Sequence, residues 1–173
     1  MKTLISGGAG SGKSALAEAL ALRSPATQRV YLATMEVWGE EDRQRVERHR
    51  RQRQGKGFLT VERSSRLTEL TLPEDCGVLL EDLGNLCANE CFGSLGFEGA
   101  EERILAGLEH LSAHCRDLVV VTNELFSDGI VYPPETQRYL ALLAQLNRKL
   151  ASRFERVIEV AAGIPIVWKG DLE

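Results

Sequence analysis

Near the amino terminus, Gly7-Gly8-Ala9-Gly10-Ser11-Gly12-Lys13-Ser14 follows the G-x-x-x-x-G-K-[S/T] pattern of a phosphate-binding loop. The pattern constrains the fold because it functions only where a strand hands over to a helix. Its glycines let successive backbone N–H groups turn inward as an anion cradle, and the helix that follows aims the positive end of its dipole at the same anion. The flanks meet this demand. Lys2–Ser6 reads as a short, mostly apolar strand, and Ala15–Arg23 as a helix free of glycine and proline. A nucleoside triphosphate is therefore expected, with Lys13 reaching its β and γ oxygens. Ser14 is placed to ligate Mg²⁺, a cation that takes oxygen donors.

Strand and helix alternate through the rest of the chain. Strands are expected at Arg29–Thr34, Phe58–Glu62, Gly77–Asp82 and Asp117–Glu124, and helices at Glu40–Gln54, Leu83–Glu90, Glu98–Arg116 and Pro134–Arg153. The unbroken leucine and β-branched runs suit central strands of a parallel sheet covered on both faces. Arg156–Ala161 and Ile166–Lys169, separated by Ala162-Gly163-Ile164-Pro165, predict a terminal hairpin with an antiparallel edge strand. The pattern is that of a doubly wound α/β fold, and at 173 residues one domain spanning 1–173 is expected.

Composition narrows the function classes. A formal net charge of −4 argues against a general nucleic-acid binder. No apolar run reaches membrane-spanning length and the chain opens on a strand instead of a secretion signal, so a cytoplasmic protein is expected. Cys76, Cys87, Cys91 and Cys115 have neither C-x-x-C spacing nor histidines at finger spacing, which predicts reduced thiols. His110 and His114 lie one helical turn apart without a third ligand in view, which favours packing or solvated roles.

Two further constellations bear on chemistry. Leu79-Leu80-Glu81-Asp82 delivers carboxylates to the carboxyl end of a strand, where open α/β sheets bind ligands. Glu81 and Asp82 are thus candidate Mg²⁺ contacts beside Ser14. Side chains alternate along a strand, so one of the pair should face the metal; the other reading is a pair of acids at a helix N-terminus. The second constellation is Glu40–Gln54, with a single apolar residue, Val46. Between positions 43 and 53 it sets six arginines against one glutamate. Such a helix is either solvated or engaged with something charged. Arg45, His49 and Arg53 recur at four-residue spacing on one face. Neighbouring guanidinium groups favour a neutral, nucleophilic imidazole at His49 and can neutralise the phosphate it would attack.

The order of the motifs resembles one family over nearly the whole chain. The loop Gly7–Ser14 is followed by Tyr31–Thr34, by Arg45-Val46-Glu47-Arg48-His49-Arg50 with Arg53, Thr60 and Glu62, and by Leu79-Leu80-Glu81. Then come Thr122-Asn123-Glu124, Gly129-Ile130-Val131 with Pro133, Asn147, and Gly163-Ile164-Pro165. This succession is similar to that of the bifunctional adenosylcobinamide kinase / adenosylcobinamide-phosphate guanylyltransferase family of cobalamin biosynthesis. The resemblance implies a RecA-like P-loop fold, a mostly parallel sheet flanked by helices, and assembly as a homotrimer. It implies phosphorylation of adenosylcobinamide by GTP or ATP, then transfer of GMP from GTP through a guanylylated histidine to the new phosphate. The family's histidine falls on His49, with Lys13 as the second catalytic group. Gly7, Gly8, Ala9, Gly10, Ser11, Gly12, Lys13, Ser14, Thr34, Arg45, Arg53, Glu62 and Glu81 are the nucleotide-binding residues on this reading. A kinase without the second reaction, and a nucleotide-gated binding protein without turnover, are the alternatives.

The chain also departs from the family pattern. Gly10 stands where arginine is usual, Leu125–Asp128 replaces glycines, and Tyr132 is inserted before Pro133. A charged segment becomes Tyr139-Leu140-Ala141-Leu142-Leu143-Ala144. The nucleotide side is intact, while the acceptor or subunit-contact side has changed.

Overall fold

Two neighbouring leucines show how the sheet is built: Leu79 and Leu80 sit on one strand, point to opposite faces, and are both fully buried. A strand with apolar residues on both faces must be covered on both, and four strands here share that property. The computed structural model describes residues 1–36, 39–40, 43–44, 46–47, 51, 55–124 and 130–172. Its strands are β1 (Lys2–Gly7), β2 (Gln28–Ala33), β3 (Phe58–Glu62), β4 (Cys76–Glu81), β5 (Asp117–Val121), β6 (Arg156–Ala161) and β7 (Ile164–Lys169). The helices are α1 (Lys13–Leu22), α2 (Leu83–Phe92), α3 (Ala100–His114) and α4 (Pro134–Arg153).

One seven-stranded sheet runs in the order β3-β2-β4-β5-β1-β6-β7. All pairings are parallel except β6 with β7. On one face Leu4, Leu32, Leu80 and Val120 pack against α2, α3 and α4. On the other, Ile5, Leu79, Val121 and Ile158 pack against Ala17, Leu20 and Ala21 of α1. Burying each leucine or isoleucine side chain contributes about 2 kcal/mol, so the sheet is the rigid platform of the molecule. Its carboxyl edge brings Gly7, Ala33, Glu62 and Glu81 to the same end.

Element types agree with the sequence expectation, and the differences lie at the ends. β4 stops at Glu81, one residue before the expected end. Asp82 instead caps α2, its carboxylate accepting from the backbone N–H of Asn85 at 2.7 Å. β5 stops at Val121, and the Thr122 hydroxyl donates to Asn147 Oδ1 at 2.8 Å as the chain leaves the sheet. α1 begins two residues earlier than expected, at Lys13, with Gly12 as its cap. α3 begins at Ala100, after Gly99 takes a left-handed φ of 68°. The hairpin turns over Ala162 and Gly163, both at positive φ, so β7 begins at Ile164 instead of Ile166. Of the expected helix 40–54, residues 40, 43, 44, 46, 47 and 51 are helical. The four cysteines are free thiols. His110 Nε2 lies 2.8 Å from the Leu70 carbonyl and its ring stacks on His114 at 4.4 Å, the packing role anticipated for the pair.

A buried ion pair closes the turn between α2 and α3. Arg103 Nε donates to Glu90 Oε2 at 2.7 Å, and its terminal nitrogens donate to the carbonyls of Glu90, Gly96 and Glu98. Glu90 is 5% exposed, and its second oxygen accepts from the Arg66 N–H at 3.0 Å. Removing the guanidinium leaves a carboxylate desolvated and uncompensated. Arg103→Ala should therefore lower the unfolding free energy by about 3 kcal/mol. Urea denaturation with an unchanged m-value checks this; a loss below about 1 kcal/mol would show the pair to be dispensable.

Candidate active site

The loop Gly7–Ser14 joins β1 to α1 at the carboxyl edge of the sheet. Gly12 adopts a φ of 94°, closed to ordinary L residues, and starts α1 without a side-chain cap. No acid occupies the first turn. The first N–H groups of the helix and its positive dipole end are thus left for an anion from outside the chain. Gly7 answers a different need: a Cβ there would lie 2.6 Å from the Val160 carbonyl and from Ser11 Oγ. The hairpin turn braces the loop, Gly163 N–H donating to the Ser11 carbonyl at 2.9 Å. Ser11 Oγ is buried and has no hydrogen-bond partner among the described residues.

Lys13 folds back across the loop, with Nζ donating to the Gly8 carbonyl at 3.0 Å and 8% of the residue exposed. Ser14 Oγ donates to the Glu81 carboxylate, joining the start of α1 to the end of β4. Burial raises the Glu81 carboxyl above the usual range. The Ser14 hydrogen bond opposes this, Asp82 and Glu18 add to it, and Lys13 pulls it back. The result is a desolvated acid among other acids, beside a hydroxyl.

Lys13, Ser14, Glu81 and Asp82 line one cavity of about 350 Å³, together with Ala9, Gly10, Tyr31, Ala33, Met35, Val46, Asn85 and Asn123. Asp82 faces it while spending Oδ1 on the helix cap and Oδ2 on the side-chain amide of Asn123 at 3.0 Å. Glu81 is the acid that meets Ser14, and Asp82 organises the turn beside it. Thr34 is fully buried, its hydroxyl donating to the Asp82 carbonyl at 2.8 Å, so it braces β2 against that turn. Glu62 ends β3 at the level of Ala33, two strands from Glu81 and roughly 10 Å away by strand spacing.

Arg45, His49 and Arg53 lie outside the described residues, as does Gly129. The neighbours in the basic segment are described. Arg43, Glu47 and Arg51 have side chains at least half exposed, with ion pairs Arg43–Glu40 and Arg51–Glu47 along the surface. Val46, the one apolar residue of the segment, lines the cavity. Lys56, just beyond, pairs with Glu18 of α1. Asn85 and Asn123 are cavity residues absent from the sequence-derived set. Thr122-Asn123-Glu124 does carry a motif match, but the strand reading extended through it and gave Asn123 no place in the cavity.

The two kinds of glycine requirement can be separated. Gly7→Ala should displace the loop, lowering the melting temperature and weakening nucleotide binding by at least about tenfold, since overpacking against backbone costs about 1–3 kcal/mol. Gly8→Ala should melt within about two degrees of the wild type, because a Cβ at Gly8 meets nothing within 4 Å. Thermal melts of both proteins, with titration of a fluorescent GTP analogue, test this; equal melting temperatures would refute it.

Comparison with known proteins bears on the fold and the family. Two solved structures share the fold at low identity. Flagellar accessory protein FlaH from Methanocaldococcus jannaschii matches with TM-score 0.53 at 12% identity, over 99% of this chain and 79% of that one. PH0250 from Pyrococcus horikoshii OT3 matches with TM-score 0.51 at 10% identity, over 98% and 86%. These likenesses support the α/β fold and nothing finer. In sequence, the chain is 33% identical over 185 residues to the bifunctional adenosylcobalamin biosynthesis protein CobU of Escherichia coli K12, covering 98% of this chain and all of the relative. It is 30% identical to the bifunctional adenosylcobalamin biosynthesis protein CobP of Pseudomonas aeruginosa, over 99% of each chain. Residues 3–168 match the family model for cobinamide kinase / cobinamide phosphate guanyltransferase, and the chain belongs to that family.

Proposed function

We propose that this protein phosphorylates adenosylcobinamide with GTP or ATP and then transfers GMP from GTP to the resulting phosphate, giving adenosylcobinamide-GDP and pyrophosphate. The observation that carries this reading is the single cavity shared by Lys13, Ser14, Glu81 and Val46. Val46 brings one residue of the basic segment into the lining shared with Lys13, which supports a phosphate-facing role for that segment. His49 follows Val46 by three positions in the sequence. The reading takes the chain as one nucleotide-binding domain working in the cytoplasm. Among the described residues no helix is long and apolar enough to cross a membrane.

In the first reaction the loop N–H groups and the α1 dipole hold the triphosphate, and Lys13 leaves the Gly8 carbonyl to neutralise charge growing on the γ-phosphoryl group. Ser14 and Glu81 suit Mg²⁺ as hard oxygen donors, and the crowding of desolvated acids around Glu81 is charge that a cation relieves. When bound there, Mg²⁺ supplies Lewis-acid stabilisation of the phosphate oxygens. In the second reaction a His49 ring nitrogen attacks the α-phosphorus of GTP, the P–O bond to pyrophosphate breaks, and a phosphoramidate forms. An oxygen of the corrinoid phosphate then attacks the same phosphorus, the P–N bond breaks and the imidazole is regenerated. Arg45 and Arg53, each four positions from His49 in the sequence, screen the phosphate charge during both displacements on this reading. Thr34 contributes through its brace on Asp82, and Glu62 sits at the end of β3, two strands from Glu81. The homotrimer implied by the family resemblance is part of the reading, and Ile164 and Trp168 on edge strand β7, each about two-thirds exposed, offer apolar surface for it.

Incubation with α-labelled GTP should label the protein with an acid-labile, base-stable adduct that is lost in His49→Ala. Full guanylyltransferase activity without that adduct would eliminate the covalent route. Lys13→Ala should lower the kinase kcat by about a hundredfold or more while the circular dichroism spectrum is kept. Undiminished transfer from γ-labelled GTP by that variant would remove Lys13 from the mechanism.

A further inference from the structure

The open side of α2 leads away from the nucleotide cavity. Along this helix Leu83, Leu86, Cys87, Glu90 and Cys91 face the core, whereas Asn85, Ala88, Asn89 and Phe92 remain accessible in one stripe. The stripe starts beside Asp82 and Asn85 in the nucleotide cavity and enters a second cavity of about 640 Å³ lined by Ala88, Asn89, Phe92, Ser94 and Glu36. The ten residues of α2 advance about 15 Å. The extension of β2 makes the same passage, with Met35 lining the first cavity and Glu36 the second. Asn89 locks the two walls together, its amide donating to the carbonyls of Thr34 at 2.7 Å and Ser64 at 3.0 Å.

The outer end of this passage is apolar and stiff. Phe92 is 54% exposed, yet its ring is held edge-on against Phe97 at 5.2 Å and tilted against Tyr139 at 6.1 Å. Arg138 lies 4.6 Å above the Phe97 ring, and Leu95 is 53% exposed close by in sequence. An aromatic side chain that is both pinned and half open presents a ready-made flat contact with little ordering cost on binding. In the same cavity stand a carboxylate at Glu36 and a hydroxyl at Ser94.

Given that the acceptor is a corrinoid, as proposed above, its seat must adjoin Lys13 and Ser14, because phosphoryl transfer needs the acceptor oxygen in line with the γ-phosphorus. We infer that the shelf formed by Ala88, Phe92 and Ser94 holds the corrin macrocycle, whose arm follows Asn85 into the nucleotide cavity. A corrin offers a broad apolar face with a fringe of amide groups. The shelf answers the face with Phe92 and Ala88, and the fringe with Ser94 and Glu36. Its cavity of about 640 Å³ leaves room for a bulky acceptor.

The test uses the full-length protein and adenosylcobinamide as acceptor, with a fluorescent GTP analogue to report nucleotide binding. Phe92→Ala and Ala88→Arg should each raise the KM for adenosylcobinamide by about tenfold or more, the loss of one buried side-chain contact or the blocking of the face. The GTP-analogue Kd should stay within about twofold, and Phe92→Leu should recover most of the acceptor affinity. Should Phe92→Ala lose nucleotide binding as well, Ser94→Trp, at an exposed position, is judged by the same criterion. Wild-type acceptor KM in these variants overturns the shelf and leaves the proposed activity standing. A wild-type protein that binds GTP but neither binds nor phosphorylates the corrinoid overturns both.

Discussion

The Ser14 hydroxyl donates to the Glu81 carboxylate, and through that contact two segments sixty-seven residues apart become one site. Ser14 arrives on the first turn of a helix, and Glu81 on the last residue of a buried strand. Neither has freedom to move away, because α1 is packed on the sheet through Ala17, Leu20 and Ala21, and β4 is covered on both faces. The loop between β1 and α1 is held from the far side by Gly163. A carboxylate and a hydroxyl are thereby fixed beside a ring of backbone N–H groups, the preorganisation that phosphoryl chemistry requires.

The two helices meeting at this edge treat their N-termini in opposite ways, and the contrast divides their labour. α1 starts at Gly12 with neither cap nor acid, so its dipole and free N–H groups are available to a substrate anion. α2 starts at Asp82 with a satisfied cap and carries no such vacancy. Its contribution is mechanical: Asp82 receives Asn85 and Asn123, Thr34 ties β2 to the same turn, and Asn89 repeats the tie one helical stretch further out. The acid next to Glu81 is thus mainly a joint, holding the end of β4 in place and carrying the helix that borders the second cavity.

Much of the fold could be read from local chemistry. The strands of β3, β6 and the central sheet, and the whole of α4, follow from apolar runs, helix formers and turn residues that lie within a few positions of one another. Two of the misplaced boundaries occurred where a side chain took up a partner at a strand end, and those of α1, α3 and β7 where a glycine adopts a positive φ. Asp82 ended β4 by capping α2, and Thr122 left β5 to meet Asn147. The loop, Lys13, Ser14 and Glu81 were legible because their motif is contiguous or sits at a strand end. Asn85 and Asn123 were not, since an asparagine after a strand or in a helix has no signature until the turn that uses it is folded. Val46 illustrates the same limit: its apolar character stood out, but its place in the cavity lining beside Lys13 and Glu81 is set only in the folded chain.

The sequence by itself determined the alternation of strands and helices, the phosphate cradle, the acidic strand end and, through the order of its motifs, the resemblance to one enzyme family. Those properties depend on near neighbours in the chain, where backbone geometry and side-chain period act directly. Only the tertiary structure decided which of Glu81 and Asp82 meets Ser14, that Thr34 works as a brace, and that the open stripe of α2 links two cavities. Each of these depends on burial and on partners brought together by sheet packing, and burial is a property of the folded surface that no local stretch of chain contains.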